Sequence, residues 1–139
     1  MAQAQPMTAP DALIALMIAV SAADEDIRTA ELVQITTIVN TLPVFGGYDA
    51  KGIAPVSELV FSLLEEEDGL DTLFEMIRAS LPDRLRETAY ALACDVAAAD
   101  GSITEAEARM LEECRYELTI ERLHAAAIER GARARYQRL

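Results

Sequence analysis

Apolar residues recur at intervals of three and four along most of the chain, and no stretch shows the two-residue alternation of a half-buried strand. This pattern predicts seven short helices. Residues 11–23 follow Pro10 and are apolar nearly all round, as in a helix buried on every side. A second helix over 28–41 places Leu32, Ile35, Val39 and Leu42 on one stripe. Pro43, Gly46, Gly47, Gly52 and Pro55 then interrupt the periodicity. A third helix over 55–66 aligns Val56, Leu59, Val60, Leu63 and Leu64. The fourth begins at Asp68, a residue type that caps helices, and carries Leu70, Leu73, Phe74 and Ile77. The fifth has Pro82 in its first turn and extends to about Ala99 through Leu85, Ala89, Leu92 and Val96. The sixth, over 104–117, turns Met110, Leu111, Cys114 and Leu118 inward, and the seventh starts at Thr119 with Ile120, Leu123 and Ala127. Residues 1–10 are expected to form a flexible arm, ahead of one all-α domain over 11–139.

The helices contain a repeat. Residues 15–31 align without gaps on residues 91–107 at an offset of 76, with nine of seventeen positions identical. Four of the nine are Ala in an Ala-rich chain; the other five carry the signal. They describe an apolar helix, an Ala-Ala-Asp exit, a tight loop centred on Ile27 or Ile103, and a second helix entered through Glu31 or Glu107. In the second copy Thr104 and Glu107 have capping-box spacing, and Ile103 is placed to pack as a hydrophobic staple. Gly101 permits a left-handed turn at the end of the fifth helix. The first copy has Arg28 and Glu25 in place of Thr104 and Gly101, so it lacks that side-chain cap.

Composition narrows the function classes. Hydrophobic residues make up 52% of 139 positions, which excludes a disordered chain despite a net charge of −12. That charge repels phosphate backbones and argues against nucleic acid as a partner. It is also uneven: residues 119–139 carry +3 and residues 1–118 carry −15. The Arg-rich end favours the C-terminal dipole of the last helix, or reaches anionic lipid or an acidic partner. The apolar run at 12–23 is too short to span a bilayer and is preceded by Asp11 with no Lys or Arg, unlike a signal peptide. Cys94 and Cys114 lie twenty residues apart without a Cys-x-x-Cys pairing and read as free buried thiols of a reducing cytoplasm.

The repeated acids have two readings. As structure, Glu107 completes the cap and its charge suits the positive end of a helix. As chemistry, Asp24, Asp26 and Glu31 in one loop and Asp100, Ser102 and Glu107 in the other offer the hard oxygen donors that Ca²⁺ or Mg²⁺ take. An EF-hand is excluded: counting from Asp100, position 6 is Glu105 where Gly is needed and position 12 is Leu111 where Glu is needed. Glu121 and His124 have the Glu-x-x-His step of di-iron bundles, but a chain with one His cannot supply the second step. The run Glu65-Glu66-Glu67-Asp68 reads as a solvated face at a helix junction.

The string Ala97-Ala98-Ala99-Asp100-Gly101 with Ile103 and Glu107, and its partner Ser21-Ala22-Ala23-Asp24 with Ile27 and Glu31, resembles the TerB-like tellurite-resistance family. Leu81-Pro82, the segment from Arg84 to Asp95, and the ending from Ile128 to Arg135 are similar to its short bacterial members, so the likeness spans nearly all of 11–135. The resemblance implies a seven-helix cytoplasmic fold and a non-enzymatic role in tellurite resistance and related stress. It implies divalent metal bound by Asp24, Glu31, Asp100 and Glu107, with Asp26 and Ser102 less central, and no organic cofactor. It also implies membrane-associated protein partners, and so a place at the inner face of the membrane. A partner-binding module with purely structural loops is the second function class; a thiol enzyme acting on tellurite, requiring an accessible Cys94 or Cys114, is the third.

Overall fold

In the computed structural model the described residues are 7–23 and 29–139, and helix α1 (Ala9–Ser21) is their hub. Every side chain from Ala12 to Ser21 is buried. A helix without a polar face can sit in water only if other helices surround it. Three do so most closely: α1 packs most extensively on α5 (Arg86–Ala97) and α3 (Ile53–Leu64), then on α4 (Gly69–Ser80), and less on α2 (Thr29–Thr41). Helix α6 (Glu105–Glu117) touches both α1 and α5, and α7 (Arg122–Arg135) covers the remaining side of α5. The buried Ser21 hydroxyl donates to the Met17 carbonyl at 3.0 Å, so the all-round burial leaves no orphaned hydroxyl. Three 3₁₀ turns, at Pro43–Phe45, Ala50–Gly52 and Asp83–Leu85, complete the described residues, among which there is no strand.

The repeat is structural as well as sequential. Shifted by 76, the bounds of α2 fall on those of α6. Helices α1 and α5 end alike: the Ala22 N–H bonds the Ile18 carbonyl at 2.9 Å and the Ala98 N–H bonds Cys94 at 3.0 Å. Buried positions correspond too, Ile35 with Leu111 and Ile38 with Cys114.

Several element ends differ from the expectation. Helix α1 begins at Ala9 because Thr8 and Asp11 form a reciprocal capping box, the Thr8 Oγ accepting from the Asp11 N–H at 3.2 Å. Asp68 does not cap α4: its backbone lies at φ −100° and ψ 19°, outside the extended region a capping side chain needs. Pro82 precedes a 3₁₀ turn, and α5 starts only at Arg86. Thr119 does not start α7 but ends α6. It adopts φ 52°, and the N–H groups of Thr119 and Ile120 return to the carbonyls of Tyr116 and Arg115, a Schellman ending built on Thr.

Two stripes also shift. Leu32 is exposed and Ile38 takes its place beside Ile35 and Val39. On α7, Leu123 is 72% exposed, Ala127 faces solvent, and Ala125, Ile128 and Ala132 form the inward row. Small residues there let α7 approach α5 closely. Truncating the fully buried side chain in Leu16→Ala should cost about 2–5 kcal/mol in urea unfolding. Leu123→Ala should change stability by less than about 0.5 kcal/mol; a larger loss would restore the original face assignment.

Candidate metal-binding loops

The second acidic loop leaves buried helix α5 and enters α6, and the first lies between α1 and α2 in the chain. Glu31 lies in the first turn of α2 and Glu107 in the first turn of α6, and both are fully buried. Burying a carboxylate is costly unless hydrogen bonds or opposite charge compensate it. Glu107 is compensated in part. Its Oε1 accepts the Thr104 N–H at 3.0 Å, and Thr104 Oγ1 accepts the Glu107 N–H at 3.1 Å. The capping box is therefore present, and the α6 dipole adds positive potential. The second oxygen, Oε2, is buried without a hydrogen-bond partner among the described residues.

Asp100 is half-buried in the turn after α5, its Oδ1 accepting the Ser102 N–H at 3.1 Å. Ser102 is exposed. Gly101 has φ +87°, the left-handed turn expected there. Ile103 does not pack down as a full staple: it stays 47% exposed, since the residue a staple would meet one turn into α6 is the small Ala108. Asp24 and Asp26, with Glu25, Ile27 and Arg28, lie outside the described residues. Among the described residues no three His, Cys, Asp or Glu side chains converge at metal-ligand range, so Glu31, Asp100 and Glu107 alone do not form such a cluster.

The basic end of the chain folds onto the second loop. Arg138 donates to the Asp100 carbonyl and its side chain lies against the Gly101 Cα, where an added Cβ would come within 2.7 Å of Nε. Arg135 pairs with Asp95 on α5, and Gln34 of α2 donates to the Tyr136 hydroxyl. The acidic partner of the tail is thus, in part, Asp95 of this chain's own α5, while its contact with the loop is to a backbone carbonyl. The sequence carried the signal only as a charge asymmetry between its two ends.

The remaining candidates resolve simply. His124 is exposed on α7 with its Nδ1 3.1 Å from a Glu87 oxygen. Residues 65–68 are exposed in the turn between α3 and α4. Cys94 and Cys114 are buried free thiols. Burial pushes the Cys94 thiol up to about 12 and raises that of Cys114 further, the opposite of an activated nucleophile.

The family model described as "Tellurite resistance protein TerB" matches residues 10–130, which takes in every helix but the ends of α1 and α7. The chain belongs to the TerB family. Membership ties this TerB protein to tellurite resistance, in a family not known as one of enzymes. No curated protein and no solved structure matches the chain. Among the described residues no helix of this TerB chain is long and apolar enough to cross a membrane.

Gly101→Ala should destabilise the TerB fold by about 1–2 kcal/mol in denaturant, through the left-handed backbone and the crowding of Arg138. Both thiols should react with an aromatic disulfide at pH 8 at least about a hundred-fold more slowly in the native protein than in urea. Rapid native labelling of either would overturn their assignment as inert core groups.

Proposed function

We propose that this TerB-family chain is a non-enzymatic accessory protein of tellurite resistance and related stress, and that its paired acidic loops bind a hard divalent cation, Ca²⁺ or Mg²⁺. One observation carries the reading. Two carboxylates, Glu31 and Glu107, are fully buried at equivalent places of an internal repeat, and Glu107 Oε2 lacks a hydrogen-bond partner among the described residues. A buried carboxylate oxygen with no donor gains most from a cation, and the donors in the loops are all hard oxygens. Asp24, Glu31, Asp100 and Glu107 would be the holding groups, with Asp26 and Ser102 beside them. A bound cation would neutralise the buried acids and stiffen both loops. The protein would then present one surface to membrane-associated protein partners at the inner membrane face.

A second reading is favoured by a different observation. The capping box at Thr104 and the Ser102 turn already employ Glu107 Oε1 and Asp100 Oδ1, and the Arg138 guanidinium occupies the Asp100 carbonyl. On this reading the loops are structural and the molecule is an interaction module, with no metal requirement.

Calorimetric titration of chelator-treated protein with Ca²⁺, Mg²⁺, Mn²⁺ and Zn²⁺ separates the two. Metal binding requires saturable heat and a rise in melting temperature that Glu107→Gln abolishes while keeping its metal-free stability, because an amide oxygen still caps. Arg138→Ala should tighten binding several-fold by removing a positive charge from loop two. Absence of heat and of any melting shift at millimolar metal removes the cation. Unchanged partner capture by folded Asp100→Ala protein would then establish the module.

A further inference from the structure

The cleft between α5, α6 and the end of α7 reverses the charge character of the chain. It encloses about 620 Å³, a volume typical of small-molecule sites. Its floor is formed by buried Ala98, Leu111 and Ala132 together with Cys94 and Tyr90, and the half-exposed Ile103 lies at its edge. Three guanidinium side chains, Arg115, Arg133 and Arg138, complete the lining. Neither Arg115 nor Arg133 has a carboxylate within 4.0 Å among the described residues, although acids outnumber bases two to one in the chain. Arg115 is, in addition, half-buried. Of the two acids at the cleft, Glu129 is engaged by the Tyr90 hydroxyl at 2.5 Å and Glu112 is exposed.

We propose that this cleft binds a small amphipathic anion, a carboxylate or phosphate head on an apolar chain of medium length. Guanidinium forks match both head groups, and a half-buried Arg without a counter-ion gains more from one than a solvated Arg would. The apolar floor recovers hydrophobic free energy only from a ligand with a hydrocarbon body. A purely hydrophilic anion would leave that floor wet, and a neutral hydrocarbon would leave the guanidinium groups without counter-charge. The cleft shares Gly101 and Ile103 with the second acidic loop, and Arg138 reaches both, but it uses none of the loop's carboxylates, so the proposal does not rest on the cation reading.

The test is calorimetric titration and thermal melting of the full chain with decanoate and decyl phosphate below their micelle concentrations. Decanol, decyltrimethylammonium and inorganic phosphate serve as controls. The expected result is one saturable site per chain for at least one of the two anions. Affinity should rise about three- to four-fold per methylene across the homologous series, and every control should bind at least ten-fold more weakly. A preference for decanoate identifies a fatty-acid-like head and a preference for decyl phosphate a phospholipid-like one; either supports the site. The double substitution Arg115→Ala/Arg133→Ala should weaken anion binding at least ten-fold. Ala108→Trp, on the exposed face of α6 at the cleft, should block it sterically with both charges intact. Equal binding of decanol or the cationic amphiphile overturns the proposal, as does uptake beyond one molecule per chain without saturation. So does wild-type affinity in either variant that retains its melting temperature.

Discussion

Everything in this molecule is arranged around a helix with no polar side after its first turn. Ten consecutive side chains of α1 are out of water, and burying a large aliphatic side chain is worth about 1.5–3 kcal/mol, so the gain is realised only if neighbours close around it. A partner of matching character is α5, itself rich in Ala and buried on most of its circumference. Small residues bring the two axes close, and the helices that follow each of them, α2 and α6, are carried to corresponding places. The internal repeat is thus part of the packing solution: the two helix–loop–helix units pair through α1 and α5, and α3 and α4 close the rest of α1.

That arrangement explains why acidic side chains are found inside. Glu31 and Glu107 sit in the first turn of the second helix of each unit, at the positive end of the helix dipole. Both carboxylates are as fully buried as the core side chains of α1. On the second unit the C-terminal segment adds another layer: Arg135 and Arg138 tie α7 and the chain end to α5 and to the Asp100 turn. The first unit has Arg28 and Glu25 where the second has Thr104 and Gly101, so the glycine that Arg138 lies against has a glutamate as its counterpart in the first unit.

The fold was legible in the residues to the extent that it depends on period and repetition. The seven helices, the burial of residues 12–21, the capping box at Thr104 and the left-handed Gly101 all follow from spacing that local physics reads directly. What escaped were features set by tertiary contact. Leu123 belongs to an apolar stripe by periodicity, yet α7 meets α5 through Ala125 and Ala132 because close approach favoured small side chains over large ones. Thr119 has no sequence signature of a helix stop; a β-branched residue at φ 52° is costly, and its hydroxyl is held by Arg86 at 2.8 Å. The depth of the two glutamates was equally hidden, since a charged residue in a first turn ordinarily lies in water. The repeat identified them as equivalent without indicating how far inside they sit.

Net charge is consequently a poor guide to what this surface can bind. The chain carries −12 overall, and at long range it repels anions. Yet at the junction of α5, α6 and α7 the local balance is inverted, with three Arg side chains beside two acids. Screening in physiological salt limits the reach of the global charge to about 8 Å, whereas partly buried groups interact at close quarters with much less attenuation. On the two proposals, recognition in the cleft would rest on the guanidinium groups and the apolar floor, and recognition at the loops on carboxylates carried by both repeat units. On these proposals an acidic chain would offer a cation site at carboxylates buried in its repeat and an anion site in a cleft that meets the second loop at Gly101.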